Sequence, residues 1–170
     1  MQGLLNSIAH RSRRTRGFTL VEVMVVVVII GLLAAMSMPA YRRITLRSKT
    51  VAVVNDLRAY STAFITYNLQ NGHWPADGTP QVVPPEMLGA LPEAFTARSP
   101  IGGVYKWNFD VSAAGLSPVK AAIIIESVSG MPVSDDLDLF EMIDREMDDG
   151  NINTGNVQVS TGSLVFIIEK

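Results

Sequence analysis

A chain of 170 residues with 48% hydrophobic content and a formal charge of −2 is sized for one domain with an additional apolar element. Arg11, Arg13, Arg14 and Arg16 crowd a leading stretch that holds no acid, which leaves 10 basic against 16 acidic residues in the remainder, a net of −6. That balance argues against nucleic-acid binding through bulk charge, with a local basic patch at Arg42, Arg43, Arg47 and Lys49 left open, and the absence of cysteine excludes disulfides, thiolate metal sites and a cysteine nucleophile.

The first predicted element is FTLVEVMVVVVIIGLLAAMSM, Phe18 to Met38, interrupted only by Thr19, Glu22, Gly31 and Ser37. It matches the ~20 apolar residues that a helix needs to cross a bilayer. Val and Ile at positions 25 to 30 lean toward strand in water, but the run is far longer than a strand and lipid forces hydrogen bonding within the segment, so a helix is expected. A secretory signal peptide fits the basic front, yet Met36, Met38 and Pro39 deny it a clean small-residue cleavage site. A plain membrane anchor gains no orientation from charge, because four arginines precede the span and Arg42, Arg43, Arg47 and Lys49 follow it. Glu22 is the distinctive residue, since a carboxylate in a spanning segment is costly unless it is paired. A cut between Gly17 and Phe18 creates a positive α-amino group four residues ahead of Glu22, and the same amine on a neighbouring subunit can neutralise the carboxylate as helices bundle.

These residues carry a resemblance. R-G-F-T-L-V-E, Arg16 to Glu22, resembles the cleavage and methylation signal of type IV prepilins, and Pro39 near the end of the apolar run is a further match. The resemblance implies that a prepilin peptidase of the inner membrane cuts after Gly17 on the cytoplasmic side and methylates Phe18, leaving the apolar segment in place. It implies that Glu22 directs assembly and that Pro39 lets the helix bend or locally melt in the filament. The implied partners are further copies of the chain, other pilin-like subunits and an inner-membrane assembly platform driven by a cytoplasmic ATPase. An ordinary kink at the membrane exit is the other reading of Pro39, and a simple interfacial position the other reading of Glu22.

After Pro39 the helical pattern resumes, with Leu46, Val53, Leu57, Tyr60, Phe64 and Tyr67 on one stripe and Arg47, Lys49, Asn55, Asp56 and Arg58 mostly elsewhere. Gly72 ahead of His73-Trp74-Pro75 predicts the stop, so one helix is expected from about Phe18 to Asn71. Residues 75 to 102, with Pro75, Pro80, Pro84, Pro85, Pro92 and Pro100, read as a connecting loop without regular structure apart from one short helical candidate at Pro85–Ala90. Val104–Asp110, Val119–Ser127 and Ser163–Glu169 read as strands of a small antiparallel sheet facing the helix stripe, bounded by Gly102-Gly103, Gly115, Gly130 and Gly162. Between the second and third, Ser134 is expected to cap a short helix that ends at Gly150. The expected fold is therefore α+β and pilin-like: a basic leader at 1–17, a transmembrane and assembly helix at 18–39, its amphipathic continuation at 40–72, and a globular head at 73–170.

The helix leads into Asp148-Asp149-Gly150-Asn151-Ile152-Asn153-Thr154-Gly155, a turn rich in oxygen ligands at alternate positions, which is the chemistry Ca²⁺ prefers. Asp148, Asp149, Asn151 and Asn153 are the candidate calcium ligands, although the glutamate that closes an EF-hand loop is missing and a plain solvated turn explains the same composition. Nothing points to catalysis: there is no glycine-rich phosphate loop, no Cys/His cluster and no G-x-S-x-G elbow, and His73 sits in a helix-ending loop. G-H-W-P at 72–75 and P-I-G-G-V-Y at 100–105 resemble patterns of the major pseudopilins of type II secretion, and the lack of a cysteine pair agrees with that subclass. The expected function is a filament-forming pilin-like subunit of a type II secretion or type IV pilus-like system, held in the inner membrane by a single pass with its head outside the cytoplasm. A non-assembling, membrane-anchored binding domain that uses the acidic turn for calcium is the competing reading.

Overall fold

The computed structural model describes residues 17–111, 119–160 and 162–170. The expected leader lies outside them except for Gly17, as does the turn at Gly115. The chain divides into two units, Met1–Tyr41 and Arg42–Lys170, and helix α1, Leu20–Asn71, contributes residues to both.

In the first unit every described residue is exposed, Phe18 by 80% and Met36 by 77%. Among the described residues α1 is the one helix long and apolar enough to cross a membrane. It continues through Pro39, which has no N–H to offer the carbonyl of Ala35, and in the same stretch Ser37 Oγ donates to the Leu33 carbonyl at 2.9 Å.

From Arg42 onward the helix turns amphipathic. Val53, Leu57, Tyr60 and Phe64 follow one another at i, i+4, i+7 and i+11 and are buried together, while Leu46 and Tyr67 form the half-buried ends of the stripe. The helix ends where expected: Gly72 adopts a left-handed φ of +75° and its N–H donates to the Asn68 carbonyl at 2.7 Å.

The stripe is covered by an antiparallel sheet of β1 (Val104–Val111), β2 (Val119–Glu126), β3 (Val157–Ser160) and β4 (Ser163–Glu169) in the order β1-β2-β4-β3. Tyr105 and Trp107 on β1, with Ala121, Ile123 and Ile125 on β2, alternate onto the core face. Phe64 stacks on Trp107 at 3.8 Å between ring centroids, and Tyr60 meets Tyr105 edge-on at 5.0 Å. Val119, Ala122, Ile124, Val165 and Ile167 form a second, smaller buried cluster, so β2 is buried along nearly its whole length. The polar tips of the two β1 rings are satisfied from outside the sheet, whereas the buried Tyr60 hydroxyl has no hydrogen-bond partner among the described residues. Trp107 Nε1 donates to the Pro75 carbonyl at 3.1 Å, and the Tyr105 hydroxyl donates to Asp56 at 2.7 Å. Burial first, and the Asp56 carboxylate second, push the Tyr105 phenol up.

Three details differ from expectation. In segment 75–102 the short helix expected at Pro85–Ala90 is a 3₁₀ turn at Pro85–Met87, and a second 3₁₀ turn, not expected, forms at Glu93–Thr96. Each follows a proline whose fixed φ suits a tight turn, and the turns bury Met87 and Phe95 completely. The second, α2, is Leu137–Met147 with Asp136 at its N-cap, and Ser134 Oγ instead accepts the Asp136 N–H at 3.2 Å, one turn short of the helix. The third is β3, a four-residue edge strand that pairs only with β4 and that no long apolar run announces. Two arginines of α1 hold α2 in place. Arg42 lies 3.2 Å from Asp136 and 3.1 Å from Asp138, and Arg58 donates to the Glu146 carbonyl at 2.9 Å, where a cation suits the negative end of the helix.

Candidate processing and assembly site

Gly17, Phe18 and Thr19 stand ahead of α1, so the Gly17–Phe18 peptide bond lies outside the helix. The reason is local. The Glu22 N–H donates to Thr19 Oγ1 at 3.2 Å, and the Thr19 N–H donates back to Glu22 Oε2 at 3.4 Å. This is a reciprocal capping box, which satisfies two of the N–H groups a helix start leaves orphaned. T-x-x-E ahead of an apolar run is its sequence signature, a signal left unused when Glu22 is read only as a pairing carboxylate. The box draws the Glu22 carboxylate to the positive end of the helix dipole and back toward the Gly17–Phe18 bond.

Around this point the surface is apolar and unpartnered. Leu20, Val21, Val23, Met24 and the residues onward to Ile44 are exposed, a patch no water-soluble monomer sustains. Glu22 is the one acidic residue among them. Pro39 lies inside the same helix, near the division between the two units.

The acidic turn is built differently from the sequence expectation. Asp148 and Asp149 are brought together with Asp144 on the last turn of α2, their ligand oxygens all within 4.8 Å of one another. The Asn151 side chain is occupied by the turn itself: its Oδ1 accepts the Asn153 N–H at 3.2 Å, while the Asn151 N–H donates to Asp149 Oδ1 at 2.8 Å. Thr154 Oγ1 donates to Asp149 Oδ2 at 3.0 Å, and the Asn156 N–H donates to Asp148 Oδ2. The Asn151 N–H first, then the Thr154 hydroxyl, hold the Asp149 carboxyl below its ordinary value. Burial, reinforced by Asp149 and Asp148, raises Asp144, with the Gly150 amide opposing in part. Asp144 was not among the expected ligands. It lies i+4 from Phe140 on the face that enters the core, where the pattern predicts an apolar residue, and that misplaced acid is the available signal.

A capped, exposed apolar helix that becomes amphipathic and packs under a small antiparallel sheet is a pilin-like α+β fold. The family profile described as the prokaryotic N-terminal methylation motif matches residues 12–38. Fimbrial protein Q of Moraxella bovis is 34% identical over 108 residues, which cover 64% of this chain and 68% of that protein. Type IV major pilin protein PilE of Neisseria gonorrhoeae is 39% identical over 64 residues, 38% of each chain, and fimbrial protein EcpC of Eikenella corrodens is 34% identical over 107 residues, 63% of this chain and 61% of its own. The chain thus spans 38% of the length of the neisserial pilin it matches. It belongs to the type IV prepilin-like family.

Proposed function

We propose that the chain is the precursor of a filament subunit. A prepilin peptidase hydrolyses the Gly17–Phe18 bond on the cytoplasmic face of the inner membrane, leaving a carboxylate on Gly17 and an amine on Phe18, which is then methylated. The subunit waits in the membrane as a single pass with its head outside, and an assembly platform driven by a cytoplasmic ATPase draws it into a filament with other pilin-like subunits. The observation that carries this reading is the continuous exposed apolar surface of α1 with Glu22 at its capped start. Lipid satisfies that surface before assembly and neighbouring α1 helices satisfy it afterwards, with a neighbour's Phe18 amine pairing to Glu22 and setting the register.

Mass spectrometry of the N-terminal peptide, on protein recovered from its native membrane, tests the first step. A start at methylated Phe18 supports processing; a start at Met1 leaves a plain anchor, and a start near residue 40 a secreted protein. Glu22→Ala tests the second: it should still insert in the membrane but fail to enter filaments, and normal incorporation would overturn the register argument and favour the non-assembling anchored domain. Within the family, the names of the matched proteins favour a type IV pilus subunit. The G-H-W-P and P-I-G-G-V-Y sequences and the lack of cysteine favour a type II secretion pseudopilin. Deleting the gene separates these, by loss of surface fibres in the first case and loss of protein secretion in the second.

A further inference from the structure

Between Glu22 and Asp56 the sequence of α1 holds no acid, yet Arg42, Arg43, Arg47 and Lys49 all fall within that stretch. Arg43 and Arg47 stand one turn apart on the same side of the helix, an arrangement of like charges that weakens a helix in isolation. The fold compensates only the first of the four. Arg42 lies 3.2 Å from Asp136 and 3.1 Å from Asp138. Arg43, Arg47 and Lys49 are exposed and enter no ion pair among the described residues.

Apolar side chains stand among these charges. Ile44, between the arginines, is 69% exposed, and Leu137, between the two aspartates that Arg42 grips, is 60% exposed. Beside Lys49 opens a cleft lined by Arg98, Ser99, Ser134 and Asp135, and the last two lead directly into Asp136. Arg98 is likewise exposed and outside every ion pair among the described residues. By neutralising Asp136 and Asp138, Arg42 leaves this surface cationic. All of these residues belong to the second unit.

We propose that this surface binds anionic phospholipid headgroups, in the leaflet on the head's side of the membrane that α1 spans. The inference rests on the reading of the chain as a membrane-inserted subunit. Arg42 and Arg43 come four and five residues after Met38, where the membrane-length apolar run ends, so a helix leaving the hydrocarbon delivers them to the headgroup layer. Phosphates there accept hydrogen bonds from ammonium and guanidinium groups, bidentately from arginine. Exposed Ile44 and Leu137 suit the acyl boundary, as apolar residues do in basic interfacial segments. Basic residues beside a span ordinarily favour the cytoplasmic side, so a cluster of them on the other side calls for a local counter-charge, which anionic headgroups supply. Breaking this contact is then a step in drawing the subunit out of the bilayer, and lipid composition sets how readily it leaves.

The test places the processed chain, beginning at Phe18 so that the leader arginines cannot contribute, in phosphatidylcholine bilayers with trace spin-labelled phosphatidylglycerol or phosphatidylcholine. Electron paramagnetic resonance reads how much of each label the protein immobilises. The expected result is a roughly fivefold preference for phosphatidylglycerol, the effect of one surface cation, shrinking in high salt. Arg43→Gln/Arg47→Gln/Lys49→Gln should bring the preference to about one with an unchanged head melt, which separates a lost contact from a lost fold. Arg43→Lys/Arg47→Lys should keep it. Equal immobilisation of both labels by the parent, or an undiminished preference in the triple variant, would overturn the lipid site alone. Immobilisation of neither label would overturn the membrane-inserted reading and the lipid site with it. A triple variant that keeps the preference but fails to enter filaments would make this surface a contact between subunits instead.

Discussion

At the scale of single residues, one carboxylate serves two environments in sequence. In the isolated chain Glu22 closes a capping box with Thr19; in the proposed filament it meets a neighbour's amine. The two roles are compatible because a carboxylate has more acceptor sites than either partner uses. Thr19 then has a role the motif alone does not reveal, which is to start the helix after the scissile bond and leave Gly17–Phe18 open to a peptidase. Thr19→Ala removes the cap at a cost of about 1 kcal/mol, so amide exchange in the first turn of α1 should quicken roughly fivefold in micelles. Thr19→Ser should restore it, and unchanged exchange in Thr19→Ala would show that the box contributes nothing. Gly17, Phe18 and Glu22 were legible because their types and spacing form a motif; Asp144 was not, because an acid in a run of acids looks solvated until the fold shows which face it occupies.

At the scale of elements, α1 changes its surroundings along its length. Residues 20–44 are exposed on every side, whereas Val53 to Phe64 place one stripe against β1 and β2. Phe64 is fully buried against Trp107, while Leu69, one and a half turns further on, is 81% exposed. Phe64→Ala should therefore destabilise the head by about 3–5 kcal/mol, and Leu69→Ala should change its stability by no more than about 0.5 kcal/mol. Comparable losses in urea melts of the two variants would contradict the assigned face. The helix and three strands were readable from periodicity, length and bounding glycines. β3 and the 3₁₀ turn at Glu93–Thr96 were not: both are short, and their regularity comes from pairing with β4 and from burying Phe95 rather than from any local pattern.

At the scale of the whole molecule, every member of the two hydrophobic clusters lies between Leu46 and Ile168, inside the second unit. The exposed apolar surface of the first unit contributes nothing to that core. A chain beginning at Arg42 should accordingly be soluble without detergent and melt cooperatively, within a few degrees of the full protein in micelles. Aggregation of the truncated chain, or a non-cooperative melt, would show that residues 17–41 support the head. What sequence alone determined was whatever depends on contiguous residues: the membrane-length apolar run, the processing motif, the stripe of α1 and its stop at Gly72, because composition and periodicity act over a few turns of chain. What only the tertiary structure decided was whatever depends on distant residues meeting. Arg42 reaches Asp136, β3 completes the sheet against β4, and the fold buries Asp144 beside two other carboxylates, since burial and charge proximity are properties of the packed chain and not of any segment in it.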